Sequence, residues 1–206
     1  MIASVLSLTR NDCEKLKITD PYSIHRVVYD LFPPGPKAVR NFLFRDKGEK
    51  NLQRQILMLS EDYPSKPLYG DLESKVVPEK LLDFSQYGFD VLVNPVYRDN
   101  KTGVIIPIKG KESLELWFTE KSASYGFFVM PRSLVVSETD VLRFAKKGQR
   151  VVLGKARFTG ILKVTDRALF KKAFCHGLGR GKSFGFGLLE LLPLLEASVD
   201  ASNTIL

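Results

Sequence analysis

The first half of the chain alternates between short apolar runs and one amphipathic segment. The run IASVLSL near the amino end predicts a strand. Asp20 and Pro21 predict the start of a helix, because Asp is a favoured N-cap and Pro suits the first helical position. The following YSIHRVVYDLF has one apolar face at helical spacing, and the PPGP after it predicts the end of the helix.

Three more strands are predicted before the middle of the chain. NFLFRDKG and RQILMLSE alternate as strands do, with a turn predicted at residues 47–50. Residues 60–86 are rich in Pro, Gly and charge and predict only a short helix near residues 78–84. YGFDVLVNP then predicts the strand that closes this half.

The second half repeats this order of elements. GVIIPI predicts a strand, SLELWFTEKSASYG a helix, FFVMPRSLVV and QRVVLGKARFTGILKV two strands, DRALFKKAF a helix, and FGLLELLP a last strand. Two βαββαβ units predict an α+β fold of two tandem ferredoxin-like, RRM-like domains. VNPVYRDNKTG loses apolar periodicity, so we expect domains at 1–95 and 104–206 joined by a linker at 96–103.

Positive charge is concentrated in one segment of the 206 residues. Between Arg143 and Lys182 there are 12 basic residues and one acidic residue, Asp166. The net charge of this segment is +11, whereas the net charge of the whole chain is +8. The rest of the chain therefore sums to −3. A polyanion is the expected partner of such a segment, and a solvated lysine-rich surface is the alternative.

Composition narrows the class of protein. The chain is 44% hydrophobic, as in ordinary globular proteins, and has no apolar run near the roughly 20 residues of a membrane span. We therefore expect no membrane partner. MIASVLSLTR predicts a first strand rather than a signal peptide. Two cysteines are too few for a disulfide framework, so a cytoplasmic location is expected.

The stretch GLGRGKSFGFGLLELLP, from Gly177 to Pro193, is rich in glycine but does not fit the known nucleotide-binding loops. A P-loop needs a Gly five positions before Gly181, where this chain has His176. The GxGxxG spacing also fails, and a helix is predicted before the loop and a strand after it, the reverse of a dinucleotide-binding unit. No cofactor is predicted.

Histidine is scarce, with only His25 and His176. Tyr22 and His25 are three positions apart on the predicted helix and so share a face, where a histidine can transfer protons near neutral pH. The alternative is a surface histidine with an aromatic neighbour. Neither these histidines nor the two cysteines have a ligand spacing, so no metal site is predicted.

These residues suit one metal-free reaction if the polyanion is RNA. The 2′-OH can attack its own adjacent phosphate, and the enzyme has to align the reacting oxygens, stabilise the phosphorane and protonate the leaving group. One histidine and a few cations can supply this chemistry. DNA lacks the 2′-OH and would not be cut.

Several motifs together resemble those of one family. The tail GLGRGKSFGFGLLELLP resembles the glycine-rich signature of CRISPR repeat-RNA endoribonucleases of the CasE type, which are found with Cascade complexes. DPYSIHR resembles that family's DPYxxHR helix start, and FTGILKVTD and VNPVYRDNKTG resemble two further segments in the same order. The resemblance spans almost the whole chain.

The resemblance implies two ferredoxin-like domains and metal-independent cleavage of CRISPR precursor RNA at the base of each repeat stem-loop. The products would carry a 2′,3′-cyclic phosphate and a 5′-OH. The enzyme would stay on the product hairpin as a subunit of a Cascade-type complex, beside the backbone subunit at the 3′ end of the CRISPR RNA. The alternative is a non-catalytic RNA-hairpin-binding subunit of the same fold.

The same resemblance implies roles for particular residues. By the motif match, His25 would be the general acid or base and Tyr22 would align the reacting groups. A supporting lysine is not assigned, although Lys37 is considered. The basic strand pair and the glycine-rich loop would contact RNA, and the residues expected to do so are Arg143, Lys146, Lys147, Arg150, Lys155, Arg157, Gly177, Gly179, Arg180, Gly181, Lys182 and Ser183. Alternatively, the glycines mainly set the geometry of the loop.

Overall fold

The computed structural model describes residues 1–33, 40–146 and 148–195. The first part of the chain forms a four-stranded antiparallel sheet in the order β2-β3-β1-β4. Its strands are β1 (Ile2–Thr9), β2 (Phe42–Lys50), β3 (Gln53–Ser60) and β4 (Asp71–Val76). Two helices, α1 (Arg10–Lys15) and α2 (Pro21–Asp30), connect β1 to β2.

The second part forms another antiparallel sheet, in the order β11-β5-β10-β8, with β9 also paired to β10. Strand β5 (Gln86–Val93) is followed by a separate hairpin of β6 (Val96–Arg98) and β7 (Ile105–Pro107). The remaining elements are α3 (Lys111–Ala123), β8 (Phe127–Val129), β9 (Val135–Lys146), β10 (Gln149–Val164), α4 (Arg167–His176) and β11 (Leu189–Leu194). Single 3-10 turns lie at Glu79–Leu82 and Lys182–Phe184.

Two clusters of buried apolar residues hold the sheets and helices together. On one face of the first sheet, Leu6, Ile56 and Met58 pack against Ile24 and Val28 of α2. Because side chains alternate along a strand, other residues of the same strands point to the opposite face of the sheet. Of these, Leu43 and Leu59 join the core of the second sheet. The two sheets therefore share one core, and α2 lies on the outer face of the first.

One strand was assigned to the wrong sheet by the sequence. YGFDVLVNP was expected to close the first half, but β5 pairs with β10 and β11 of the second sheet. The fourth strand of the first sheet is β4, which was not predicted. Strand β4 lies at the sheet edge with no buried residue, so DLESKV has no apolar side to reveal it. The chain thus passes between sheets before β5, and residues 96–103 lie within the second part.

Two smaller expectations are also wrong. The turn expected at residues 47–50 lies within β2, where the register shifts between Asp46 and Glu49. The chain reverses instead at Asn51 and Leu52, both with positive φ. GVIIPI does not join a large sheet, because β7 pairs only with β6. Within the described residues, no helix has the length and apolar character needed to cross a membrane.

Candidate functional site

The start of α2 is fixed by reciprocal capping. Asp20 Oδ1 accepts from the N–H of Ser23 at 2.7 Å, and Ser23 Oγ accepts from the N–H of Asp20 at 3.0 Å. Pro21 occupies the first helical position, as predicted. Ile24 and Val28 are buried against the first sheet, which fixes the rotation of the helix.

Three rings of α2 stack along another face of the helix. The ring centroids of Tyr22 and His25 are 5.4 Å apart, and those of His25 and Tyr29 are 4.0 Å apart. These contacts follow from helical spacing, because His25 lies three positions after Tyr22 and Tyr29 lies four positions after His25. The structure thus brings together Tyr22 and His25 as predicted and adds Tyr29.

The glycine-rich loop reaches this face and fixes the imidazole. His25 Nδ1 lies 2.7 Å from the main-chain oxygen of Ser183. A carbonyl oxygen can only accept, so Nδ1 carries the proton and Nε2 of the neutral ring is left with a free electron pair. The Ser183 hydroxyl accepts in turn from Tyr29 Oη at 3.3 Å and from Arg40 Nη1 at 3.1 Å.

The surroundings favour the neutral form of His25. Burial lowers the pKa of the imidazole, and the positive charges of Lys146 and Arg40 lower it further. The hydrogen bond to Ser183 raises the pKa but does not offset these effects. At neutral pH the ring is therefore ready to accept a proton.

Aromatic contacts join the site to the long strand β9. The ring of Phe184 lies 5.4 Å from that of His25 and 4.6 Å from that of Phe144 on β9. Lys146 Nζ lies 5.5 Å from the centre of the Phe184 ring. Helix α2, the glycine-rich loop and the tip of β9 therefore converge, and Lys146 brings positive charge to the imidazole.

The other basic residues of the loop differ in their surroundings. Lys182 is half-buried. Its burial lowers the pKa of its ammonium group, and repulsion from the positive charge of Arg40 lowers that pKa further. Arg180 is exposed and forms an isolated bridge with Asn94 through the main chain. The loop thus presents one cation beside Arg40 and another on its outer side.

The glycines of the loop have separate reasons for being glycine. A Cβ on Gly177 would lie 2.8 Å from Leu43 and 2.9 Å from the oxygen of Gly187, and the φ of Gly177 is +75°. A Cβ on Gly181 would lie 2.9 Å from the Phe186 ring. Gly179 also has positive φ but faces open space. Packing accounts for Gly177 and Gly181. Gly179 has open space beside its Cα, while its N–H donates to Tyr125 Oη at 2.9 Å.

The expected RNA-binding residues of β9 and β10 fall into two groups. Arg143 and Arg150 are exposed near the tip of the hairpin, and Lys147 lies outside the described residues. Lys155 and Arg157, further from the tip, are paired with acidic residues. Lys155 Nζ lies 3.4 Å from a carboxylate oxygen of Glu138, and Arg157 is 2.8 Å from the same carboxylate.

A network of charges links the two sheets behind this hairpin. Arg45 of β2, with a side chain only 4% exposed, contacts Asp90 of β5 at 2.8 Å and Glu190 of β11 at 2.6 Å. Arg157 binds both carboxylate oxygens of Asp90, at 2.6 and 3.0 Å. Burial alone would raise the pKa of Asp90, but these two arginines hold it below its ordinary value. The structure therefore gives Arg157 a role in joining elements, and its contact with RNA stays a prediction from the sequence.

Sequence reasoning missed several residues of the site. Tyr29 lies four positions after His25, so helical spacing could have found it. Arg40 follows a proline-rich segment without periodicity and carried no such signal. Lys37, the lysine considered from the sequence, lies outside the described residues. Within residues 1–33, 40–146 and 148–195, no three metal-ligating side chains cluster.

Comparison with known proteins gives consistent results. A family model described as "CRISPR associated protein" matches residues 2–193. The "CRISPR system Cascade subunit CasE" of Escherichia coli K12 is 26% identical over 194 residues, which cover 85% of this chain and 93% of that protein. The resemblance to the CasE type is thereby confirmed.

Solved structures share the fold. The Thermus thermophilus Cse3 "bound to an RNA representing a pre-cleavage complex" superimposes with a TM-score of 0.79 at 19% identity, covering 93% of this chain and 98% of that one. The CRISPR-associated protein Cas6e of Escherichia coli K-12 has a TM-score of 0.71 at 22% identity, covering 94% and 100%. At these identities the likeness concerns the fold alone.

Proposed function

The chain belongs to the family of CRISPR-associated proteins, and from that premise we propose that it is an endoribonuclease that processes CRISPR precursor RNA. The cut falls at the base of the repeat stem-loop. The related Escherichia coli protein is a Cascade subunit, and the Thermus thermophilus protein was solved with RNA bound. Both relationships support RNA as the substrate.

The observation that carries this proposal is the contact between His25 Nδ1 and the main-chain oxygen of Ser183, at 2.7 Å. It leaves Nε2 as the base that takes the proton of the 2′-OH. The 2′-oxygen then attacks the adjacent phosphorus and the bond from phosphorus to the 5′-oxygen breaks. The proton held on Nε2 passes to the departing 5′-oxygen, which gives a 2′,3′-cyclic phosphate and a 5′-OH. No metal ion is required in this reaction.

Neighbouring residues support the same step. Lys146 and Arg40, whose charges already act on His25, stabilise the negative charge of the phosphorane. Tyr22 stacks on His25 at 5.4 Å and holds the ring against the reacting ribose and phosphate. The loop backbone from Gly179 to Ser183 lies against the RNA strand.

The stem of the RNA lies along the hairpin of β9 and β10. Arg143, Lys146 and Arg150 project cations there, and phosphates of an A-form helix are their natural ligands. The protein keeps its product hairpin and enters a Cascade-type complex beside the backbone subunit at the 3′ end of the RNA.

We also propose that the two sheets are two ferredoxin-like domains. The strand orders β2-β3-β1-β4 and β11-β5-β10-β8 support this interpretation, because each places the first and third strands of a βαββαβ unit in the middle of its sheet. The first domain lacks a helix between β3 and β4 in the described chain. The division falls between Val76 and Gln86 rather than at 96–103.

Two changes to the reaction test the proposed chemistry. A repeat RNA with deoxyribose at the nucleotide 5′ of the scissile phosphate should bind but stay uncut, because the nucleophile is missing. Excess EDTA should leave the cleavage rate of the normal RNA unchanged. Cutting of the deoxy substrate, or strong inhibition by EDTA, would refute attack by the 2′-OH without a metal.

A further inference from the structure

A large groove opens beside the glycine-rich loop. It lies between the β9–β10 strand pair and the β6–β7 hairpin with the start of α3, and its volume is about 860 Å³. Gly181 lines the groove, and Ser183, two residues later, contacts His25. Two residues span at most about 7 Å, so the groove opens next to the proposed cleavage site.

The walls of the groove are apolar although solvent reaches them. Ile105 on one wall is 45% exposed, and Val152 on the other is 52% exposed. Pro107 and Ile108 extend the first wall. Exposed apolar side chains that face each other across a cleft are typical of a binding site for a flat, weakly polar group.

The floor of the groove contains a buried carboxamide oxygen without a hydrogen-bond partner. Asn94 is only 6% exposed, and its Oδ1 has no hydrogen-bond partner in the described part of the chain. A buried carbonyl oxygen without a partner costs free energy, which a ligand with a matching donor would recover. Nucleobases carry amino and ring N–H donors along their edges, and this oxygen can accept from one of them once the Asn94 side chain turns towards the groove.

The rim of the groove is cationic. Lys109, Arg143 and Arg180 line it, and none of them has a carboxylate within 4.0 Å among the described residues. One acidic residue, Asp140, also lines the groove. Gly110 is the N-cap of α3 and provides no side-chain cap, so main-chain N–H groups of the first helical turn add to the positive potential.

We propose that this groove binds an unpaired nucleotide next to the foot of the RNA hairpin, an inference that rests on the proposed function. The base lies between Ile105 and Val152, with its edge at Asn94. Its phosphates lie at the rim, near Arg143 and Arg180. Binding of the flanking nucleotide would fix the position of the RNA strand where it crosses the glycine-rich loop. The scissile phosphate would then lie next to His25.

An apolar segment of a protein partner is the competing occupant. Such a segment would fill the walls but leave the Asn94 amide and the cationic rim without partners. A nucleotide satisfies all three features at once. The observations therefore favour RNA.

A coupling experiment tests the inference. In an RNA made uncleavable by deoxyribose before the scissile phosphate, each unpaired nucleotide beside the stem is replaced in turn by an abasic residue. One abasic position should weaken binding to the unaltered protein about tenfold. Val152→Glu and Ile105→Glu should each weaken binding of the normal RNA about tenfold, with no further loss on that abasic RNA.

Val135→Glu is the matched control, because Val135 lies on β9, is 53% exposed and does not line the groove. It should leave the affinity for either RNA unchanged. The inference would be overturned if the losses of affinity caused by the protein change and by the abasic position added in full. It would also be overturned if no abasic position weakened binding. The inference would also be overturned if Val152→Glu and Ile105→Glu kept normal affinity for RNA but no longer bound a Cascade backbone subunit. If coupling is found but the normal RNA stays uncut, the proposed function fails while this site stands.

Discussion

At the residue scale, His25 depends on groups that lie far from it in the chain. Its own helix supplies Tyr22, which stacks on the ring, and Tyr29, whose ring is tilted against it. The carbonyl that fixes its tautomer belongs to Ser183, 158 positions later, and the Ser183 hydroxyl is held by Arg40. These contacts make the ring a neutral base with one nitrogen available.

Replacing Arg40 with Met should move the pH dependence of cleavage. Arg40 lowers the pKa of His25, so its removal raises that pKa. A base works only when deprotonated, so activity falls as pH drops through the pKa of His25, and this fall should begin at higher pH in the variant. Single-turnover rates measured between pH 4 and 8, roughly around the ordinary histidine pKa, give the midpoint.

Arg26→Met is the control for that experiment. Arg26 is also a cation of this region, 5.9 Å from the Tyr22 ring, but it is exposed and is not one of the charges that lower the pKa of His25. Its removal should leave the midpoint where it is. A midpoint that stays fixed or falls in Arg40→Met, or a rate that declines with rising pH near neutrality, would contradict the role of His25 as the base.

The sequence predicted only part of this residue-scale arrangement. Helical spacing placed Tyr22 beside His25, because positions three apart share a face. The contact of His25 with Ser183 depends on how a loop near the carboxyl end folds back on α2, and no periodicity encodes that. The sequence also assigned Arg157 to RNA, because charge along a chain does not reveal that Asp90 and Glu138 already pair with it.

At the element scale, the glycine-rich loop keeps its shape by packing as well as by backbone freedom. Gly177 lies against Leu43 of β2, so the loop is pressed onto the first sheet. The sequence predicted the helix before the loop and the strand after it, and both are confirmed. It missed β4, since in this edge strand only Leu72 packs against the core and one apolar residue does not make a period.

Alanine at two glycines of the loop should separate packing from backbone strain. Gly177 and Gly179 both have positive φ, so each substitution carries a backbone cost of about 1–3 kcal/mol. Only at Gly177 would the new methyl group also clash, with Leu43 and the oxygen of Gly187. Gly177→Ala should therefore lower the free energy of unfolding by at least about 1 kcal/mol more than Gly179→Ala in urea denaturation. Equal losses would mean that packing does not fix the loop.

At the scale of the whole molecule, the charge network of Arg45, Asp90, Glu190 and Arg157 joins the two sheets. Asp90 is bound by two arginines, one of them almost fully buried. The pKa of Asp90 is lowered, so its stabilising effect is present above the ordinary carboxyl pKa and is lost as pH falls through the lowered value. This network holds β9 and β10, and with them the basic hairpin, in a fixed position relative to α2.

Removing Asp90 should destabilise the whole chain. Asp90→Ala leaves the buried guanidinium of Arg45 with one carboxylate partner fewer, and we expect a loss of about 3 kcal/mol in the free energy of unfolding. Asp83→Ala is the control, because Asp83 is 58% exposed and pairs only at 3.6 and 3.9 Å, so its loss should be under about 1 kcal/mol. Similar losses from both variants would show that the network does not join the sheets.

The concentration of charge predicts how binding depends on salt. Arg143→Ala with Arg150→Ala should weaken hairpin binding and reduce the slope of log K against log salt by about two, one for each phosphate that is no longer neutralised. The double variant Lys163→Ala and Lys172→Ala removes the same charge from exposed positions of β10 and α4, away from the hairpin tip. It should keep the slope. Equal changes would mean that charge alone, rather than the hairpin, positions the RNA.

The most direct test is cleavage and binding of a repeat RNA by His25→Ala, measured on the same preparation. The account predicts a fall in the single-turnover rate of about a thousandfold with affinity unchanged, because the imidazole transfers a proton and does not hold the RNA. Cleavage at the original rate would contradict the account, because His25 would then take no part in the reaction.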